Sequence, residues 1–162
     1  MPALPATTRY FHAGTAKVYF LPAIAAADKT PSRAEITAGT DLTNEIADMS
    51  GWLVGSGTIT TPDLGSTFES NIPGKTSVDA SSLTFYADLD GDDIRSVLPR
   101  GTAGFIVIAD AGDALDKPAD VFPVRVSSVG KTRSVGEESA RLTVNFAITD
   151  EPAENVSLPA TA

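Results

Sequence analysis

The sequence predicts a mainly β fold, an antiparallel β-sandwich or barrel-like sheet with one flanking α-helix. Three observations carry this. Apolar and polar residues alternate over three separate segments, as in strands with one covered face and one wet face. A fourth segment, Phe105–Ala109 (FIVIA), is apolar on both faces and reads as a central strand. Only one stretch, Asp90–Leu98, joins helical spacing to a clear cap.

In chain order, residues 1–15 (MPALPATTRYFHAGT) are rich in Pro, Ala and Thr, show no period, and are expected to form an N-terminal arm. Val18–Leu21 is a short strand. Val18–Ala27 follows Arg9 and Lys17 and ends in small residues, as a secretion signal does. Its apolar part is short and broken by Pro22, so a strand entering a turn is the expectation. Asp41–Met49 fits a short capped helix and a strand equally well. Trp52–Thr61 reads as a strand weakened by Gly55 and Gly57, where a bulge is expected.

Pro62–Ser77 (PDLGSTFESNIPGKTS) reads as a long loop between two strands. Loops beyond about 12–15 residues are uncommon in compact domains and are usually functional or disordered. This one carries Leu64, Phe68 and Ile72, large apolar side chains that are costly in water. It is therefore expected to be covered by another molecule.

Ser82–Leu89 sets Leu83, Phe85, Ala87 and Leu89 against Ser82, Thr84, Tyr86 and Asp88. Asp90 then caps a helix, with Asp92 and Asp93 in its first turn and Ile94, Val97 and Leu98 on one face; Pro99 and Gly101 end it. Val121–Val129 sets Phe122, Val124 and Val126 against Arg125 and Ser127. Arg141–Thr149 is the cleanest alternation, with Leu142, Val144, Phe146 and Ile148 opposite Thr143 and Asn145. Gly130–Ser139 is a second long, charged connection. Glu151–Ala162 is expected to be a C-terminal arm, leaving residues 16–150 as one domain, the expectation for a chain of 162 residues.

Composition narrows function. No cysteine is present, which excludes disulfides, thiolate metal sites and cysteine catalysis. No apolar run reaches the roughly 18 residues of a membrane-crossing helix. The net charge of −9 argues against a protein that grips a phosphate backbone, though not against one that encloses nucleic acid without holding it.

Catalytic and metal motifs fail when counted. Asp88–Asp93 looks like a calcium loop, but loop positions 6 and 12 fall on Asp93 and Pro99 rather than Gly and Glu. His12 is the only histidine and lies in the arm, so no triad is supported. Gly55-Ser56-Gly57 lacks the third glycine of a dinucleotide fingerprint, and Gly130-Lys131-Thr132 lacks the earlier glycine of a phosphate loop. The glutamates are scattered, and Asn155-Val156-Ser157 is a chance match to a glycosylation acceptor. Trp52 reads as a core filler. No enzyme, cofactor or metal site is expected.

The run Glu45-Ile46-Ala47-Asp48-Met49-Ser50-Gly51-Trp52, then Thr60–Leu64 and Phe68 with Ile72-Pro73-Gly74-Lys75, resembles the major tail tube proteins of long-tailed (siphovirus-type) bacteriophages. The resemblance continues through Leu83–Asp88, the helix, Phe105–Ala109, Phe122–Val126 and Leu142–Phe146, most of residues 16–150. It implies a structural virion protein that self-assembles into hexameric rings stacked as a tube, the conduit for double-stranded DNA. Inner strands would complete a ring-wide barrel around the lumen, which leaves no open sheet edge. The long loop would contact the next ring through Leu64, Phe68 and Ile72, and the terminal arms would bridge subunits. Ser82, Thr84, Tyr86, Asp88, Thr143 and Asn145 are the candidates to face the lumen.

The resemblance further implies partners in the tail, namely the tape measure, terminator and tip proteins, and assembly in the host bacterial cytoplasm without a membrane. Two rivals stand beside this reading. One is another ring protein, such as a terminator, a connector or the inner tube of a contractile machine. The other is a β-sandwich module that binds carbohydrate or a receptor, which would gather several aromatics on one concave face. A hydrolase is the weakest reading.

Overall fold

The computed structural model describes residues 1–161. In chain order its strands are β1 (Lys17–Leu21), β2 (Thr40–Asp41), β3 (Ile46–Ser50), β4 (Val54–Thr61) and β5 (Ser70–Val78). They continue as β6 (Ser81–Tyr86), β7 (Ala103–Ala109), β8 (Pro118–Thr132), β9 (Arg141–Ile148) and β10 (Ala153–Ser157). Two short helices, α1 (Arg33–Ala38) and α2 (Ile94–Val97), interrupt them. The fold is mainly β and each described strand pair is antiparallel, as the alternation predicts.

The chain divides into two compact units. The first gathers Met1–Asn44, Phe105–Val121 and the segment from Ala153 onward. Within it β1 pairs with β2 and β7, and β10 pairs with the beginning of β8. Tyr19, Leu21, Val107, Ala109, Val121 and Leu158 form its core, with Ile36 of α1 packed among them.

Helix α1 was not expected, although its signal is present. Ser32 accepts from the Glu35 N–H, and the Glu35 carboxylate accepts from the Ser32 N–H at 2.7 Å, a complete capping box. Only six residues long, the helix offers too few turns for its period to show. Gly39 caps its C-terminus, and only glycine fits there because a Cβ would lie 2.7 Å from the Phe20 carbonyl oxygen of β1.

The terminal segments behave differently from each other. Residues 1–11 lie exposed without secondary structure. The C-terminal segment, expected as an arm, instead contributes strand β10 and the fully buried Leu158 to its own chain. Five residues interrupted by Glu154 and Asn155 carry too little apolar alternation to announce a strand.

The second unit comprises Glu45–Gly104 and Phe122–Pro152. Its sheet runs β3, β6, β9 and the later part of β8 in that order. Leu83, Phe85, Phe122, Val124, Val126, Leu142 and Val144 are buried on the covered side. Trp52 lies edge-on to Phe122, with ring centroids 5.2 Å apart, and its indole N–H donates to the Ser82 carbonyl. Trp52 is only half-buried, so it packs at the edge of the core rather than filling it as expected. The predicted helix is shorter than its pattern suggests: Asp93, not Asp90, caps α2 by accepting from the Arg95 N–H.

The largest departure lies at Pro62–Ser77. Residues 70–77 are not loop but part of β5, which pairs with β4 in a two-stranded hairpin. Pro73 and Gly74 conceal the strand, since proline removes a ladder donor and glycine lowers strand propensity. Pro73 is tolerated because it lies opposite Thr58, beside a bulge between Ser56 and Thr58. That bulge includes Gly57, one of the two glycines that predict it. Gly57 and Gly74 sit so close that a Cβ on Gly74 would meet the Gly57 carbonyl at 3.1 Å. Likewise β8 runs on to Thr132, so the connection expected from Gly130 begins later.

Candidate assembly surfaces

Three surfaces of the molecule are unlike a finished exterior. The first is the β4–β5 hairpin, whose residues are exposed along most of both strands. Its tip, residues 62–69, is organised by local bonds: Asp63 accepts from the Gly65 N–H, and Ser66 from the Phe68 N–H. The Thr61 and Ser70 hydroxyls meet at 2.8 Å where the ladder ends. Phe68 is 76% exposed and Leu64 fully so. Ile72 is half exposed and lies directly opposite Ile59, also half exposed. The structure thus splits the three predicted contacts, with Leu64 and Phe68 at the tip and Ile72 on the stem. Ile59 is an apolar partner that the sequence reading missed; its signal was period-two spacing from Thr61.

The second surface is the polar side of the four-stranded sheet. Register sets Ser50, Ser82, Asn145 and Ser128 in one row across it, and Asp48, Thr84 and Thr143 in the next. The Thr84 and Thr143 hydroxyls are 3.3 Å apart, and the Asn145 amide donates to Ser128 at 2.9 Å. Beyond them the Arg141 guanidinium lies over the exposed Tyr86 ring. Five of the six residues predicted to face a lumen (Ser82, Thr84, Tyr86, Thr143 and Asn145) therefore share one face. Asp88 does not. It lies past the end of β6, where its carboxylate accepts from the Asp90 and Asp92 N–H groups. Ser128 joins the face only because the bulge between Val126 and Ser128 reverses the alternation of β8, a shift invisible in the sequence pattern.

The third is a groove walled by the end of β5 and the segment from Phe146 to Pro152. Val54, Val78 and Ile148 are among its lining residues, together with Asp79, Asp150 and Glu151.

The first unit carries its polar chemistry in one cluster. Arg33 grips Asp113 with two bonds of 2.7 Å, and also donates to the carbonyls of Pro159 and Ala160. Tyr19 donates to the same carboxylate at 3.1 Å. The Arg33 hydrogen bonds hold the Asp113 carboxyl below the usual carboxylate range, and burial, followed by the Asp113 charge, pushes the Tyr19 phenol up to about 12. This is a latch on the C-terminal segment, with both charges satisfied by each other. His12, 3.2 Å from Asp110, is a surface pair at the root of the N-terminal arm. Among the described residues no group of three or more His, Asp or Glu is placed to hold a metal ion. No helix among them is long and apolar enough to cross a membrane.

Comparison with known proteins follows the same lines. A solved chain from the cryo-EM structure of the anti-feeding prophage baseplate superposes with a TM-score of 0.56 at 12% identity, covering 92% of this chain and 95% of that one. A likeness at that identity shows the fold alone. The SPP1 Dit protein, described as a hub of the adsorption apparatus of phages infecting Gram-positive hosts, gives 0.41 at 15% identity, and this chain spans only 50% of it. A type six secretion system protein gives 0.39 at 17% identity, with 83% or less of either chain matched in these last two cases. No curated protein sequence matches the chain. The family model described as "Phage tail tube protein" matches residues 4–161, nearly the whole chain. The chain therefore belongs to the phage tail tube protein family, whose members are structural proteins of the virion and not enzymes.

Proposed function

We propose that the protein forms hexameric rings that stack into the tail tube and serve as the conduit for the phage genome. The carrying observation is the β4–β5 hairpin. A two-stranded ribbon is marginal by itself in water, and this one leaves Ile59, Leu64, Phe68 and Ile72 exposed. Each of these side chains contributes roughly 1.5–3 kcal/mol when fully buried. Repeated six times around a ring, modest contacts add to a firm junction. In this reading Leu64 and Phe68 seat on the next ring, and Ile59 with Ile72 form the stem of the contact.

The hydroxyl- and amide-rich face of the sheet is assigned to the lumen. On that face the strands offer one carboxylate, Asp48, and two guanidiniums, Arg125 and Arg141, among many hydroxyls and amides, few charges with which to hold phosphates. The overall charge of −9 adds repulsion, which favours passage over sticking. Assembly would occur in the host cytoplasm with the tape measure, terminator and tip proteins as neighbours.

Electron microscopy of the purified full chain tests the reading. Hollow tubes are expected from the wild type, and discrete rings or monomers at all concentrations would overturn it. Phe68→Asp is expected to leave the monomer folded, because the side chain is already exposed, and to stop tube growth. Normal tubes from that variant would remove the hairpin from the ring junction.

A further inference from the structure

Strand order roots the apolar hairpin and helix α2 on opposite sides of one sheet. The hairpin is inserted between β3 and β6, and β3 is one outer strand of the second unit's sheet. The segment from Asp93 to Thr102 runs beside β8, the other outer strand. Asp93 lies 3.9 Å from Lys131, and Gly101 and Thr102 bond through their backbones to Val126. Ile94 and Leu98 of this segment are buried, which turns the other side of the short helix outward. There Arg95, Val97 and Arg100 are exposed. Among the described residues neither guanidinium makes a hydrogen bond, an ion pair or a ring contact. Residues 94–100 contain no carboxylate; Asp93 is buried and faces Lys131, and Asp92 pairs with neither arginine.

We infer that the hairpin tip of a second copy seats on this outward side of α2, with Leu64 and Phe68 against Val97 and the tip carboxylates at Arg95 and Arg100. The inference rests on the proposal that the tip joins another copy, and it names the surface that receives it.

Charge and reach select this pair of surfaces. Residues 62–69 carry Asp63 and Glu69 and no cation. The Glu69 carboxylate makes no bond, and Asp63 uses only Oδ1, toward the Gly65 N–H. Other exposed apolar side chains stand beside acids in the chain: Leu89 between Asp88 and Asp90, Leu115 before Asp116, and Val135 shortly before Glu137. Those carboxylates would repel the tip, whereas Val97 stands between two guanidiniums. The tip does not rest on its own α2, since Leu64 and Phe68 stay exposed within their own chain. The eight residues of β4 carry it about 25 Å from its root, enough to cross to a neighbour. Because the two surfaces differ and belong to opposite sides of the sheet, the contact is head-to-tail. Each copy then keeps one surface open for the next, as a growing polymer requires.

Charge reversal and cross-linking in the full chain test this. Glu69, Arg95 and Arg100 are exposed and unbonded, so Glu69→Arg, Arg95→Glu and Arg100→Glu are expected to keep the wild-type urea midpoint. Glu69→Arg should lower the yield of sedimentable tubes by about tenfold or more, and adding Arg95→Glu or Arg100→Glu to the same chain should restore it. The absence of cysteine makes a disulfide specific. Separately tagged Thr67→Cys and Val97→Cys proteins, mixed under assembling conditions and oxidised, are expected to form one that joins the two tags. Tubes that form without that disulfide, or a Glu69→Arg defect that neither reversal restores, would overturn this inference and leave the tube proposal standing. Normal tubes from a chain carrying both Arg95→Glu and Arg100→Glu would do the same, and loss of DNA binding alone in that chain would assign the guanidiniums to a polyanion instead. Failure of the unsubstituted protein to form any rings or tubes would overturn both.

Discussion

Arg33 bonds to residues far apart in the sequence, Asp113 and the carbonyls of Pro159 and Ala160, and Tyr19 completes the cluster from β1. Titration of this cluster has a definite sign. Tyr19 has a folded pKa of about 12 against an ordinary value of 10.0, so the folded state holds the phenolic proton more tightly. Its contribution is complete below about pH 10 and is lost as pH rises toward about 12, a change on the order of 2–3 kcal/mol. Urea unfolding across that window is expected to show a decline in the wild type that Tyr19→Phe lacks. Parallel declines in the two proteins would count against the coupling. Asp113 acts in the other direction: its depressed pKa means that its contribution is present at neutral pH and is lost on acidification through the carboxylate range.

At the scale of elements, the hairpin depends on its root. Gly51 adopts φ +83°, and a Cβ there would lie 2.4 Å from the Ala80 carbonyl oxygen, so the two chain segments that leave the sheet can approach only at glycine. The buried Ser81 hydroxyl accepts from the Trp52 N–H and donates to the Asp79 carbonyl, tying one segment to the other. Gly51→Ala is expected to lower stability by about 2–3 kcal/mol, read by Trp52 fluorescence in urea. Gly55→Ala, where a Cβ meets open space, should change it by less than about 1 kcal/mol.

Legibility from sequence followed apolar alternation. Strands β6, β8 and β9 announce themselves because each buries one face, and the same alternation names Ser82, Thr84, Thr143 and Asn145 as one polar surface. Strand β5 buries neither face and contains Pro73 and Gly74, so no period marks it. Helix α1 and strand β10 are too short to show a period and are held by side-chain bonds and by long-range packing around Leu158. Such bonds depend on residues more than a hundred positions away, which a window along the chain does not see.

For the whole molecule, charge and chain order matter most. Copies that each carry −9 repel one another, and screening shortens that repulsion to about 10 Å at 0.1 M salt. Polymer formation at fixed protein concentration is therefore expected to increase between about 0.01 M and 0.1 M sodium chloride, measured by light scattering. A steady decrease would show that attraction between opposite charges on different copies outweighs the net repulsion. Chain order has a temporal consequence. The core of the first unit requires Leu158 and β10 in addition to β1 and β7. On the ribosome, that unit stays incomplete until residue 158 has emerged, long after the hairpin with its apolar tip has been made. In nascent chains the apolar hairpin of the second unit is thus made while the first unit still lacks its last strand, so the two units gain their full sets of strands at different times.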